Sequence, residues 1–179
     1  PNLDQLATES VLFTNAFANS SWTKASVATI FSSLYPSMHG ANLTASGLSG
    51  SWLTLPEVLR AHGYATGVFS ANPFVSPLFG FAQGVDQFHH KGVSVVRQLV
   101  LGQILRSLRP YSSVVSKLYS ALEDLRFPFR LAPGGRIPAS ELNALFTDWV
   151  RALGARRFFA YLHYMEPHAP YSAPSPFNR

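Results

Sequence analysis

A run of hydroxyl-bearing residues that leads directly into an apolar segment is the stretch best suited to chemistry. Residues 19–24 read Asn-Ser-Ser-Trp-Thr-Lys, and the apolar segment from Val27 to Phe31 follows. Serine and threonine before an apolar run are typical of a helix N-terminus. Backbone N–H groups converge there and the helix dipole adds positive potential, so a tetrahedral oxyanion is stabilised. We expect Thr23 at the mouth of this site with Lys24 beside it.

A second candidate is a histidine that follows the strongest predicted strand. Residues 158–162 are apolar or aromatic, and the segment 164–170 then places His168 between two prolines. In open α/β sheets, sites lie beyond the carboxyl ends of the strands. A histidine can exchange a proton near neutral pH, so His168 is a candidate for acid–base chemistry. His163, at the end of the strand, fits a buried structural histidine equally well.

The elements that must position these residues alternate between helix and strand. Strands are predicted over residues 11–17, 64–70 and 157–163, and helices over 1–7, 26–34, 54–62 and 139–153. A helix followed by a strand indicates crossover connections, so the predicted fold class is α/β with a parallel sheet. Asp86, His89 and His90 have the composition of a metal site, but their segment is predicted to be a solvated loop.

Composition and charge limit the function classes. The 179 residues are 47% apolar, enough for one globular domain, and the absence of cysteine excludes disulfides and Cys metal sites. Eight basic and two acidic residues fall in 91–136, where two helices broken near Pro110 are predicted. We expect a solvated helix face there, with binding to an anionic membrane surface through 91–130 as the alternative. Nucleic acid is not expected, because no aromatic ladder accompanies the charge. The compartment is not indicated.

Two motifs in this order resemble the sulfatases, a family of the alkaline-phosphatase-like superfamily. Ser-Trp-Thr-x-x-Ser at 21–26, followed by Leu-Tyr-Pro-Ser-x-His-Gly at 34–40, resembles the family signature Cys/Ser/Thr-x-Pro-Ser-Arg. Phe-Phe-x-x-Leu-His-Tyr-Met-x-Pro-His-x-Pro-Tyr at 158–171 resembles a second family motif. The resemblance covers residues 1–89 and 139–174. It implies an α/β, parallel-sheet alkaline-phosphatase-like core.

The resemblance also implies roles for individual residues. Thr23 falls on the nucleophile, and His168 on the histidine that contacts the transferring group or protonates the leaving oxygen. Ser26 falls on the signature serine and is expected to contact the substrate. A divalent metal (Ca, Mn, Zn or Mg) activates the nucleophile in this family, so Thr23 is also expected as a metal ligand. Its other ligands, Asp and Asn or His, are expected outside this chain.

The identity of the nucleophile narrows the expected substrate. Sulfatases proper convert cysteine or serine at this position to formylglycine, whose hydrate releases sulfate by elimination. A threonine cannot form that group, and relatives with threonine resemble nucleotide pyrophosphatases and phosphodiesterases with a phospho-threonine intermediate. Thr23 therefore favours phosphoryl or phosphonyl esters over sulfate esters. The expected partner is a small-molecule, glycan or lipid ester of sulfate or phosphate.

Several positions depart from the family pattern. Ala25 replaces the signature proline and Val27 the arginine, so Lys24 is expected to supply the missing positive charge. The family's Lys-x-His after the second strand reads Ser-Ala-Asn at 70–72, which leaves Asn72, together with His163, as a candidate substrate contact. These departures keep open a non-catalytic, binding or regulatory relative as the alternative.

The resemblance further implies that the family's first strand lies before residue 1 and the later metal ligands after residue 179. We therefore expect residues 1–179 to be a partial catalytic domain, truncated at both ends, with a basic helical insertion at 91–138. The isolated chain is expected to bind no metal and to be inactive.

Overall fold

A parallel sheet forms the centre of the part of the chain that the structure describes. The computed structural model describes residues 2–43, 46–90 and 137–168. Three strands lie in the order β2-β1-β3, with bounds Ala65–Ser70 for β1, Gln87–His90 for β2 and Phe158–His163 for β3. Both pairings are parallel, and Ser70 lies in register with His90 on one side and His163 on the other. The predicted α/β class with a parallel sheet is thereby confirmed.

The helices are α1 (Asn2–Thr8), α2 (Thr23–Ser32), α3 (Pro36–His39), α4 (Leu55–Ala61) and α5 (Ala139–Leu153). The sequence signals for α4 and α5 are local, so both were predictable to within a residue. A reciprocal capping box between Thr54 and Glu57 starts α4, and Gly63, at φ 79°, follows its end. Helix α2 begins three residues earlier than predicted, because Trp22 and not a later hydroxyl residue occupies its N-cap.

The central strand is covered on both faces. Successive side chains of a strand point to opposite faces, so Val68 and Phe69 enter two different cores. On one face α2 contributes Phe31, which is 1% exposed. On the other face Leu142 of α5 is fully buried. Coverage of both faces explains why all six residues of β1 are buried and why its sequence lacks the alternation of a half-buried strand.

The predicted strand over residues 11–17 is wrong. This segment has irregular backbone, and four of its apolar side chains are between 69% and 89% exposed, namely Val11, Leu12, Phe13 and Phe17. A strand is stable only where another strand pairs with its N–H and C=O groups, and no described strand lies beside these residues. Their β-forming composition therefore does not produce a strand here.

Strand β2 is the converse case, since its segment was predicted to be a solvated loop. The residues Gln-Phe-His-His carry no alternating apolar pattern, and the strand exists because its backbone pairs with β1. The imidazole of His89 stacks on the ring of Phe69 with centroids 5.1 Å apart, while Asp86 forms an ion pair of 3.1 Å with Arg60. Pairing and packing supplied by other segments thus decided this element.

Two further points concern the predicted basic helices and the possibility of a membrane-spanning helix. The basic helices predicted within 93–127, and nearly all of the proposed insertion at 91–138, lie outside the described residues. Among the helices that are described, none is long and apolar enough to cross a membrane.

Candidate active site

Helix α2 brings Thr23 to the carboxyl edge of the sheet. Near the C-terminal end of the helix, the ring of Phe31 packs edge-on against Phe159, close to the start of β3, at 6.4 Å. At the other end, Trp22 packs edge-on against Phe74, which lies beyond the carboxyl end of β1, at 5.8 Å. The helix therefore runs antiparallel to the strands. Thr23, the first residue of the helix, therefore lies at the edge where open parallel sheets have their ligand-binding and active sites.

Thr23 is the first residue of helix α2 and is not its N-cap. Trp22 is the N-cap, with extended backbone and no side-chain cap hydrogen bond. Its own N–H donates to the Ser20 hydroxyl at 3.1 Å, and the Ser26 N–H donates to its carbonyl at 3.0 Å. Thr23 and Ser26 are both partly buried. Because Thr23 is the first helical residue and not the cap, capping does not account for a threonine here.

Strand β3 ends in a hydrogen-bonded group of three side chains. The Tyr161 hydroxyl lies 2.9 Å from Nδ1 of His163, and Nε2 of the same imidazole lies 3.4 Å from Nδ2 of Asn72. The side-chain Oδ1 of Asn72 accepts the Phe74 N–H at 2.9 Å, which directs the side-chain Nδ2 of Asn72 toward His163. This network assigns Nε2 as acceptor and Nδ1–H as donor to Tyr161. The structure thus joins Asn72 and His163, which lie 91 residues apart in sequence.

Burial keeps this group neutral near pH 7. Burial lowers the pKa of His163, and the charge of the neighbouring His168 lowers that pKa further. Burial also raises the pKa of Tyr161 to about 12. A neutral imidazole and a protonated phenol orient the Asn72 amide without adding charge to the sheet edge. The substrate-binding roles of Asn72 and His163 stay predictions.

His168 lies on the exposed turn that follows β3. Its N–H donates to the Met165 carbonyl at 3.1 Å, which closes the turn. The carboxylate of Glu166 accepts the N–H of Ala139, so the turn is tied to the start of α5. The charge of His168 contributes to the lowered pKa of His163. An exposed imidazole on a tethered turn beside the sheet edge can exchange protons with a bound group.

Lys24 is buried, in contrast to the expectation that it stands at the mouth of the site. Its exposed fraction is 0%, and its ammonium donates to the Leu43 carbonyl at 2.5 Å and to the Ser46 carbonyl. Three aromatic ring centroids lie at 4.1, 4.9 and 5.9 Å from Nζ, those of Phe79, Trp22 and Phe74. We call these residues, with the two carbonyls, the Lys24 cluster. A contact between this ammonium and an oxyanion stays a prediction.

The divalent metal that the resemblance implies finds no ligand set in the described ranges. Within residues 2–43, 46–90 and 137–168, no three His, Cys, Asp or Glu side chains are close enough to hold an ion. The composition-based metal site at Asp86, His89 and His90 is therefore not formed. That Thr23 binds a metal with ligands from elsewhere stays a prediction.

Sequence reasoning missed Tyr161 and the aromatic residues of the Lys24 cluster. Tyr161 and His163 are two residues apart on one strand, so they share a face, and this spacing was a usable signal. The ring of Trp22 comes from the start of α2, and those of Phe74 and Phe79 come from two positions in the segment between β1 and β2. No local pattern indicates that they meet around one ammonium.

The burial of Lys24 predicts a specific pH dependence of stability. Burial lowers the pKa of Lys24 from 10.5 to about 8, so the unfolded chain binds more protons than the folded chain between these values. The free energy of unfolding therefore rises with pH in this window, by up to about 1.4 kcal/mol per pH unit from this group. The opposite effect of Tyr161 begins only near pH 10. Urea denaturation at pH 8, 9 and 10 should show a steeper rise for the native protein than for Lys24→Met, and equal slopes would contradict the assignment.

Comparison with known proteins identifies the family and the fold of this chain. The sulfatase family model matches residues 1–179. The crystal structure of a phosphonate monoester hydrolase from Agrobacterium radiobacter superposes with a TM-score of 0.61 at 23% identity, over 99% of this chain and 38% of that one. A comparison with curated proteins found no match. The superposition shows the alkaline-phosphatase-like fold, and the chain spans well under half of that hydrolase. By the match over its whole length, the chain belongs to the sulfatase family.

Proposed function

We propose that this chain carries the nucleophile and the leaving-group acid of an ester hydrolase that acts on phosphate, phosphonate or sulfate esters. The observation that carries the proposal is the start of α2 at the carboxyl edge of a parallel sheet, beside the polar ends of β1 and β3. Membership of the sulfatase family supports the reaction class. Members of this family generally use divalent metals, and here such an ion would take ligands from outside the described residues.

In the proposed reaction, the Thr23 oxygen attacks the phosphorus or sulfur atom as the bond to the leaving oxygen breaks. The Thr23 hydroxyl proton would pass to a base, or to solvent if a metal activated the hydroxyl, and a proton would return to the threonine oxygen when the intermediate is hydrolysed. The N–H groups at the start of α2 stabilise the charge on the equatorial oxygens. Protonated His168 donates its proton to the leaving oxygen, and neutral His168 then accepts a proton from the water that hydrolyses the threonine ester.

Threonine chemistry favours phosphoryl and phosphonyl esters within this class. A threonine ester of sulfate cannot collapse by elimination in the way a formylglycine hydrate does, so water must attack the central atom of the intermediate. The resemblance to phosphodiesterases with a phospho-threonine intermediate supports the same choice. The printed name of the structural neighbour adds phosphonate monoesters to the substrates to be tested.

The test is an ester panel with the full-length gene product. p-Nitrophenyl sulfate, p-nitrophenyl phosphate, bis(p-nitrophenyl) phosphate and p-nitrophenyl phenylphosphonate are compared at matched concentrations, with and without added Mn²⁺, Zn²⁺, Mg²⁺ or Ca²⁺. We expect turnover of a phosphate or phosphonate ester above that of the sulfate ester. Rapid acid quench and mass spectrometry should find the adduct on the peptide that contains Thr23. Absence of turnover and of adduct across the panel would support the non-catalytic alternative.

The role of His168 predicts a dependence on the leaving group. Replacing His168 by alanine should lower kcat/KM by about 10²-fold for an unactivated phenyl ester, because the departing oxygen then leaves as an unprotonated anion. A p-nitrophenol leaving group hardly needs a proton, so its ester should lose about tenfold or less. Steady-state kinetics with both esters check this. His62→Ala, at an exposed histidine on the end of α4, is the matched control, and an equal loss for both esters would rule out proton donation by His168.

A further inference from the structure

We infer that Lys24 is a positioning residue, whose buried ammonium holds the first turn of α2 against two neighbouring loops and so sets the place of the Thr23 hydroxyl. The link to Thr23 rests on the proposed function. The claim that Lys24 fixes the first turn of α2 against the two loops rests on the contacts of the Lys24 cluster. The inference differs from the expectation that Lys24 contacts the oxyanion directly.

Two backbone carbonyls converge on the ammonium. The oxygens of Leu43 and Ser46 both accept hydrogen bonds from Nζ of Lys24, 19 and 22 residues along the chain. The Ser46 hydroxyl also accepts the Leu43 N–H at 2.9 Å, which ties these two residues to each other. Two carbonyl dipoles aimed at one point repel unless a cation lies between them. The positive charge of Lys24 therefore stabilises the close approach of the Leu43 and Ser46 carbonyls.

Three aromatic rings complete the surroundings of the ammonium. Phe79 lies nearest, with its ring centroid 4.1 Å from Nζ, within the range of a cation–π contact. Phe74 packs against Phe79 at 5.7 Å and against Trp22 at 5.8 Å, so the rings also contact one another. The charge thus joins the start of α2 to two separate segments of the loop that follows β1.

The same cluster connects the nucleophile with the other side of the candidate site. Trp22 is the residue directly before Thr23 and forms the N-cap of α2. Phe74 donates its N–H to the side chain of Asn72, which faces His163. A displacement of these rings would move the start of the helix relative to the end of β1. Misplacement of a reacting group by about 1 Å can cost about 10²-fold in rate.

Burying a charged lysine at this position is unfavourable in free energy, and a residue kept in spite of this is expected to have a specific role. Burial lowers its pKa to about 8, which shows that the surroundings disfavour the charge. A methionine would fill a similar volume without that penalty, but it would leave the carbonyls of Leu43 and Ser46 without this donor. Groups that act against stability are commonly kept for function.

The test uses Lys24→Met in the full-length gene product, with two readouts. Hydrogen–deuterium exchange should become faster in peptides that contain Trp22, Leu43 or Ser46 and stay unchanged in β1. For the preferred ester, kcat should fall about 10- to 100-fold with KM within about threefold, because binding groups are kept while the attacking oxygen is misplaced. Arg151→Met, which removes an exposed charge from α5, is the matched control and should change neither readout.

Three outcomes would overturn the inference. Unchanged exchange with unchanged kcat would show that Lys24 is not needed for the geometry. Unchanged exchange with a KM raised tenfold or more would show direct contact with the substrate. A lower melting temperature with native kcat would show a purely structural role. If Lys24→Met does not fold, Phe79→Leu serves instead and should give a smaller change of the expected kind. If the native protein hydrolyses no ester, the proposed function fails, and the exchange data still decide whether Lys24 holds the start of α2.

Discussion

Replacing Thr23 by alanine is expected to abolish ester hydrolysis by the full-length gene product, with kcat lower by about 10³-fold or more. The reason is that no covalent intermediate can form once the attacking oxygen is removed, while the folded structure should persist. Thr23 is only partly buried, and alanine is well tolerated in a first helical turn. The measurement is steady-state hydrolysis of the best ester from the panel, together with the adduct mass on the peptide containing residue 23.

Thr23→Ser supplies the matched control, because serine keeps the hydroxyl and removes only the methyl group. We expect it to retain activity within about tenfold of the native protein and to form an adduct of the corresponding mass. Ser21→Ala removes the hydroxyl two residues earlier in the chain and should leave kcat unchanged. Native activity in Thr23→Ala, with the adduct on another residue, would show that the nucleophile has been assigned to the wrong position.

The second large effect concerns stability. Gly84 has a φ of 70°, and a Cβ placed there would lie 2.3 Å from the backbone N of Glu57 and 2.5 Å from its Cα. Both atoms belong to the first turn of α4 and cannot move without disrupting the capping box of that helix. The Gly84 carbonyl also accepts the Thr66 hydroxyl at 2.6 Å, which fixes it against β1. Gly84→Ala should therefore lower the free energy of unfolding by about 3–4 kcal/mol, from backbone strain and overpacking together.

Gly63→Ala is the control that separates these two contributions. Gly63 has a similar φ of 79°, but a Cβ there meets nothing within 4 Å. Gly63→Ala should therefore lower the free energy of unfolding by about 1 kcal/mol, from the left-handed backbone strain alone. Urea denaturation of both variants, followed by the far-ultraviolet signal, measures the difference. Equal costs at the two positions would mean that the loop at Gly84 can move away from α4, contrary to the close contact described here.

The elements that could be predicted from the sequence are those whose signals are local. The Thr54–Glu57 capping box and the following Gly63 bound α4, and an apolar stripe ending at Gly154 marks α5. The apolar runs that became β1 and β3 were equally clear, since a strand buried in the core needs them whatever its neighbours. The order of the two motifs, with Thr23 in the first and His168 in the second, also pointed to the family that the match over residues 1–179 confirms.

The features that only the tertiary structure decided are those that need a partner far away in the chain. Residues 11–17 have a strand-like composition but no described strand beside them, whereas β2 has a weak composition and pairs with β1. Lys24 was expected beside Thr23 at the mouth of the site, yet rings and carbonyls from distant segments bury it. Asn72 and His163 were separate candidates in the sequence, and only the fold brings their side chains to 3.4 Å from each other. Backbone pairing and burial are properties of the assembled chain, because they depend on which segments meet, and local residue patterns do not carry that information.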